Sequence, residues 1–240
     1  MTLFQFIHRQ NFRPGLIGAL INPFYFARKR LYQAICREAT TISGKVLDVG
    51  CGKKPYQHVF ANVSQYIGMD IENPAHDHSK EEIDVYYDGI NFPFVNDTFD
   101  SVVCNQVLEH VFQSNRFLDE VGRVLRPGGN LLLTVPFMWP EHEQPFDNCR
   151  YTSFGIRTLI ETRFDIVSFS KCTLGTEALF QLAISHFYLW MKPKNKFVDA
   201  LIRLMLSPLT ILGIVISFVI PGDDSLYLDN LIVAKRRLAS

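Results

Sequence analysis

The sequence predicts an α/β fold built on a mostly parallel sheet, and three observations carry that expectation. Short apolar runs ending on an acid or an amide alternate with stretches of helical spacing, and a glycine turn follows the first such run. A hydrophobic content of 48% in 240 residues supplies one α/β core with a modest appendage, not two full domains. Alternation of this kind predicts βαβ units with right-handed crossovers.

The elements follow in order. Residues 1–43 read as a helical arm: Pro23 follows Asn22, and apolar residues then recur at helical spacing as far as Ala39. The early charges come late, at Arg9 and Arg13, and no small-residue cleavage site closes an apolar run, so no signal peptide is expected. In KVLDVGCG, Val46, Leu47 and Val49 surround Asp48 ahead of Gly50 and Gly52, the pattern of a buried parallel strand running into a tight turn. SQYIGMDI reads as a second strand and SVVCNQ as a further one. LEHVFQSNRFLDEVGRVL has helical spacing, and RPGG should stop that helix, because Pro127 cannot continue it and Gly128 and Gly129 permit a reversal into the strand NLLLTVPF. A helix over 153–163, the strand FDIVSFSKC and a last strand in LYLDNLIVAKR complete the series.

Between those last two strands, residues 177–191 and 201–220 are strongly apolar and flank the basic turn KPKNK. The expected organisation is therefore an arm at 1–43, a sheet domain at 44–172, a hydrophobic helical insertion at 173–224 and a returning strand at 225–240. A single bilayer crossing would leave that strand on the wrong side of the membrane. Two crossings would export KPKNK against the tendency of basic loops to stay cytoplasmic, and the first segment is short for about 30 Å of hydrocarbon. The favoured reading is an apolar hairpin lying in a membrane surface through 177–220, with a homodimer surface or a cap over the substrate pocket as alternatives.

Lys and Arg total 24 against 24 Asp and Glu, which leaves no positive surplus for nucleic acid as a partner. Five scattered cysteines without a CxxC pair argue against a disulfide framework or a zinc site and for a reducing, cytoplasmic setting, peripheral on the membrane's cytoplasmic face. No metal is expected: His76, Asp77 and His78 resemble a metal pair superficially and read as a solvated loop. Cys51 reads as a small buried residue.

The strand ends suit a ligand with a charged amino-acid tail and an adenosine body. Gly50 and Gly52 allow close backbone approach, while Asp48 can engage an ammonium. Asp70, followed by Ile71, stands where a ribose-binding acid belongs. Asp88 and Gly89 suit an adenine edge, and Asn105 and Gln106 close a strand beside the reacting centre. Duller readings exist for Asp70 and Asp88, which also suit the capping of a helix or turn.

Taken together and in order, VLDVGCG, Asp70, DGINFPFVNDTFD, VLEHV and RVLRPGG resemble the successive motifs of the class I S-adenosylmethionine-dependent methyltransferases, in the methyltransferase type 11 group, over residues 45–136. The resemblance implies a Rossmann-like, seven-stranded sheet with helices on both faces, S-adenosyl-L-methionine as cofactor and methyl transfer as activity. One departure is Lys54, which stands where the fuller motif has its third glycine. A dinucleotide oxidoreductase is disfavoured, since Pro55 stands where its glycine motif needs a third glycine.

KKPY and PFMWPEHEQPFDNCRYT resemble a subgroup associated with cell-envelope polysaccharide and glycolipid assembly, which implies a small, sugar- or lipid-linked acceptor. His142, Asp147, Arg150 and Tyr151 then cluster after a strand end. His142 is the expected general base, with Asp147 and Arg150 as its catalytic partners. The competing readings are a structural ring on Asp147 for His142, an ion pair for Arg150 and local packing for His110. A membrane-docked scaffold that has lost catalysis is the alternative function.

Overall fold

The computed structural model describes residues 3–71, 82–220 and 222–238. His76, Asp77 and His78 lie outside the described residues. Seven strands, β1 (Ser43–Val49), β2 (Asn62–Ile71), β3 (Val85–Tyr87), β4 (Phe99–Asn105), β5 (Leu125–Pro136), β6 (Phe164–Leu174) and β7 (Tyr227–Arg236), form one sheet in the order β3-β2-β1-β4-β5-β7-β6. The pairs β1–β2, β1–β4, β2–β3 and β4–β5 are all parallel. Seven α-helices accompany them among the described residues: α1 (Leu3–Phe12), α2 (Gly18–Ile21), α3 (Tyr25–Glu38), α4 (Ser114–Val124), α5 (Ser153–Ile160), α6 (Gly175–Met191) and α7 (Lys196–Val219). The chain forms two compact units, one of residues 35–137, 141–170 and 230–240, the other of residues 1–34, 138–140 and 171–229.

In the first unit, β4 and β5 are apolar on consecutive positions because both of their faces are covered: Val102, Val103, Cys104, Leu131, Leu132 and Leu133 are all fully buried. α4 adds the stripe Phe117, Leu118, Val121 and Val124, and α5 adds Ile156 and Ile160. Thr152 caps α5, its Oγ1 accepting from the Gly155 N–H at 3.0 Å.

Two sequence expectations are corrected in this unit. RPGG does not lie between a helix and a strand; it is a bulge within β5, since Phe99 pairs with Leu125 while Ser101 pairs with Asn130. A Cβ on Gly129 would stand 2.9 Å from the Arg126 carbonyl oxygen and 3.0 Å from that of Asp100, so the bulge closes only around glycine. LEHV, expected to begin a continuous helix, makes one 3-10 turn at Leu108–His110, and α4 starts at Ser114. The Glu109 carbonyl accepts instead from the N–H groups of Asn148 and Cys149, at 2.9 and 3.0 Å, which occupies the acceptor a helix would have used.

The second unit joins the arm and the apolar insertion, which the sequence separates. Ala19, Tyr25, Phe26, Ile184, Ile202 and Leu206 form its core. Gln181, polar within an apolar helix, is fully buried and satisfied on both sides: Oε1 accepts from the Ala27 N–H, while Nε2 donates to the Pro23 carbonyl and to Ser185 Oγ. α6 and α7 approach so closely that a Cβ on Gly213 would fall 2.7 Å from the Phe180 ring. Pro208 lies inside α7 and cannot donate to the Leu204 carbonyl, and the Ser207 hydroxyl donates there at 2.8 Å. α7 is the one helix among the described residues long and apolar enough to cross a membrane by length and composition.

Candidate active site

The glycine turn after β1 is held by two backbone bonds, from the Gly50 and Cys51 N–H groups to the Met69 carbonyl. Gly50 has φ +68°, and a Cβ there would strike Val107 Cγ2 at 2.3 Å. Gly52 has φ +45° with nothing within 4 Å of its Cβ position, so the turn presents bare backbone to open space. The Gly52 N–H donates to Asp70 Oδ2 at 2.9 Å, and the Ile71 N–H donates to Asp70 Oδ1 at 2.8 Å. Asp48, 5% exposed, accepts from the Tyr66 hydroxyl at 2.7 Å. Burial pushes its carboxyl up to about 7, opposed by the Tyr66 bond and aided by the negative charge of Asp70. Asp48, Gly50, Gly52 and Asp70 are thus brought together at adjacent strand ends.

Lys54 keeps the conformation a glycine would supply. Its φ is +47°, and its Nζ is tied to Asp84 Oδ2 at 2.6 Å, the same oxygen that accepts from the Gly68 N–H. Ile71 Cγ2 lies 3.6 Å from the Cβ position of Gly89, which places those two residues side by side. Asp88 accepts from the Asn91 and Ile90 N–H groups and from Asn91 Nδ2, and these bonds hold its carboxyl below the usual range. The described bonds of Asp88 close its own turn, the duller of its two readings. At the end of β4, Gln106 takes φ +56° and donates its N–H to the Thr134 carbonyl, while Thr134 Oγ1 donates to Asn105 Oδ1. Val107, packed on Gly50, ties this end to the glycine turn.

The expected acceptor residues also converge. Arg150 grips Asp147 with two parallel bonds of 2.5 Å, Nη1 to Oδ1 and Nη2 to Oδ2. That fork pushes the Asp147 carboxyl down to about 2. Asp147 Oδ2 accepts from the His142 N–H at 3.0 Å and lies 3.3 Å from His142 Nδ1. Burial lowers the His142 pKa and outweighs the opposing pull of Asp147, so the ring is neutral near neutral pH. Tyr151 lies beside these groups in sequence but turns its hydroxyl to Ser114 Oγ at 2.8 Å.

Sequence reasoning missed Glu109 and read His110 as local packing. The rings of His110 and His142 meet edge to face at 4.9 Å, and the fully buried Glu109 places Oε1 3.9 Å from His110 Nε2. The available signal was the Glu-His pair directly after the strand that carries Asn105. A largely neutral imidazole beside an arginine-bound carboxylate suits proton removal.

Residues 47–133 match the type 11 family model described as a methyltransferase domain. A probable S-adenosylmethionine-dependent methyltransferase of Mycolicibacterium smegmatis is 32% identical over 129 residues, covering 51% of this chain and 48% of the relative. A fatty-acid O-methyltransferase of the same organism is 30% identical over 115 residues, 44% of this chain and 42% of that one. The chain spans about half the length of the curated relatives it matches. Among solved structures, phosphoethanolamine N-methyltransferase 2 of Haemonchus contortus, in complex with S-adenosyl-L-methionine, aligns with a TM-score of 0.55 at 16% identity, over 99% of this chain and 60% of its own, a likeness of fold. Residues 47–133 therefore match a methyltransferase domain, and the curated relatives over this region include S-adenosylmethionine-dependent methyltransferases.

Proposed function

We propose that the chain transfers the methyl group of S-adenosylmethionine to a hydroxyl on a small lipid- or sugar-linked acceptor at a membrane surface. The observation that carries the chemistry is the His142 ring set 3.3 Å from Asp147, itself held in the fork of Arg150, with burial favouring the neutral imidazole. In an in-line displacement the acceptor oxygen forms its bond to the methyl carbon as the carbon–sulfur bond breaks. The sulfonium leaves as a neutral thioether and the hydroxyl proton passes to the ring. Asp48 and Asp70 face the cofactor's ammonium and ribose in this reading, Ile71, Asp88 and Gly89 its adenine, and Asn105 and Gln106 the reacting end.

The lipid-linked acceptor is supported by the fatty-acid O-methyltransferase among the relatives and by the helical unit. Trp190, Phe197, Leu204 and Phe218 are exposed, Lys192 and Lys194 lie in the turn between α6 and α7, and Lys196 begins α7. Exposed apolar groups beside a basic cluster suit the surface of an anionic bilayer.

Calorimetry with S-adenosylmethionine and S-adenosylhomocysteine tests the cofactor, and absence of both affinities leaves the scaffold reading. Radiolabelled methyl should enter a solvent-extractable lipid fraction, and His142→Ala should abolish that incorporation with cofactor affinity kept. The chain should float with phosphatidylglycerol vesicles; a concentration-dependent dimer that ignores vesicles would replace the membrane with a second copy as the partner of α6 and α7.

A further inference from the structure

Glu109, His110 and His142 each offer one ligand atom, and the three atoms lie within 4.8 Å of one another. We infer that these residues form a binding site for a divalent transition-metal ion, held by two imidazoles and one carboxylate. Neither nitrogen donor comes from a cysteine-rich motif, so the sequence, which points to no metal, hides the set: His142 enters from a loop after β5, whereas Glu109 and His110 sit on the turn after β4.

Three features beyond proximity support the site. His110 Nδ1 lies 3.2 Å from the Phe146 carbonyl oxygen, which can only accept, so Nδ1 serves as donor there and Nε2 is the ring atom left to face a ligand. Nε2 is the atom nearest the carboxylates, 3.9 Å from Glu109 Oε1 and 3.8 Å from Glu143 Oε2. Asp147 lies 3.3 Å from His142 Nδ1 without hydrogen-bonding it and accepts from the His142 backbone N–H, so a carboxylate stands behind the second ring as it does behind metal-bound histidines. Glu109 is fully buried, so a cation beside its carboxylate is attracted more strongly than at the surface.

Ligand bonds of about 2.0–2.2 Å to zinc set neighbouring donors roughly 3.0–3.5 Å apart. The cluster therefore closes on an ion with side-chain shifts of about an ångström or less. Two imidazoles and a carboxylate suit zinc and its first-row neighbours better than magnesium or calcium, which favour all-oxygen sets. Glu143, half exposed and with Oε2 3.8 Å from His110 Nε2, is the candidate for a fourth donor.

The catalytic consequence rests on the methyl-transfer reading. An ion here lowers the pKa of an acceptor hydroxyl that reaches it, and takes over from the His142 ring the task of readying that oxygen for attack.

The test uses the full chain stripped with a chelator and titrated with Zn2+ by calorimetry and with Co2+ by visible absorption. One ion per chain is expected, with a cobalt spectrum lacking thiolate charge-transfer bands. Binding should weaken at least tenfold in Glu109→Gln and in His110→Gln. Glu143→Gln should weaken it about threefold. Thermal melts and S-adenosylmethionine affinity of the same samples establish that each variant is folded, and they report on the cofactor site separately. Absence of stoichiometric binding, thiolate bands in the cobalt spectrum, or binding that survives both Glu109→Gln and His110→Gln overturns the metal site while leaving the cofactor site standing.

Discussion

In the sheet unit, the apolar runs of β4 and β5 point into a covered core, and Val103 and Leu132 are fully buried. In the helical unit, α7 is at least as apolar, yet Phe218 is 86% exposed and Phe197 73%. The buried residues of α7 are Ile202, Leu206, Ser207, Thr210 and Gly213, so much of its inward stripe is small or hydroxyl-bearing while larger apolar side chains face out. Helices that pack in an apolar medium use small residues against each other in this way, whereas water-soluble helices do the reverse. Apolar content alone thus fails to say which way a segment faces; the distribution of small residues does.

The largest expected effect sets the two regions side by side. Leu132→Ala in β5 should cost about 2–5 kcal/mol by thermal or denaturant unfolding, against under about 0.5 kcal/mol for Leu204→Ala on α7. Equal costs would break the comparison.

Within the sheet unit, Gly50→Ala should cost about 1–3 kcal/mol of stability, from its positive φ and the clash with Val107. Gly52→Ala meets no protein atom, so beyond about 1 kcal/mol of strain from its positive φ its loss should appear in S-adenosylmethionine affinity, measured by calorimetry. A Gly52→Ala chain that binds normally would show that the open space above the turn is not the ligand's.

Asp48 sharpens this further. Its folded carboxyl, at about 7, lies above its unfolded value of about 3.9, so the folded chain holds the proton between those limits, and ligand-free stability falls as pH rises through that window. A cofactor ammonium favours the ionised form. Affinity should therefore rise with pH up to about 7, by as much as about tenfold per unit, or roughly 1.4 kcal/mol, and this slope should vanish in Asp48→Asn. The smallest effect in solution belongs to Phe218→Ser, which should leave the melting temperature unchanged while reducing flotation with anionic vesicles.

Strands β1, β4 and β5 and the acid at the end of β2 were readable because each depends on local pattern: an apolar run, a glycine pair, a terminal carboxylate. What sequence reasoning missed depends on partners far along the chain. Whether Gly128 and Gly129 end a helix or bulge a strand is decided by the pairing of Ser101 with Asn130. The late start of α4 follows from Asn148 and Cys149 taking the Glu109 carbonyl. Lys54 tolerates a glycine's conformation with its side chain anchored to Asp84, and Gln181 is buried because Ala27 and Pro23 meet both ends of its amide. His142, Asp147 and Arg150 were readable as a group because they share one short loop. Glu109 and His110 were not, since nothing in the spacing brings them to that loop.

The chain leaves β6 for α6 and comes back toward β7 through a pinch of two glycines. A Cβ on Gly175 would stand 2.5 Å from Gly222 Cα, and the Gly175 N–H donates to the Leu226 carbonyl at 2.7 Å. The two helices therefore depart and return at one point, like a cassette clipped into a fixed slot. Lengthening or shortening the turn between the two helices adds only a slowly growing loop-closure cost and need not alter the register of either strand, whereas exchanging the helices must keep the face that packs on Ala19, Tyr25 and Phe26. Grafting a different hairpin that keeps this face onto the same pair of glycines is thus a route by which such a scaffold can acquire a new docking preference while its strand ends stay as they are.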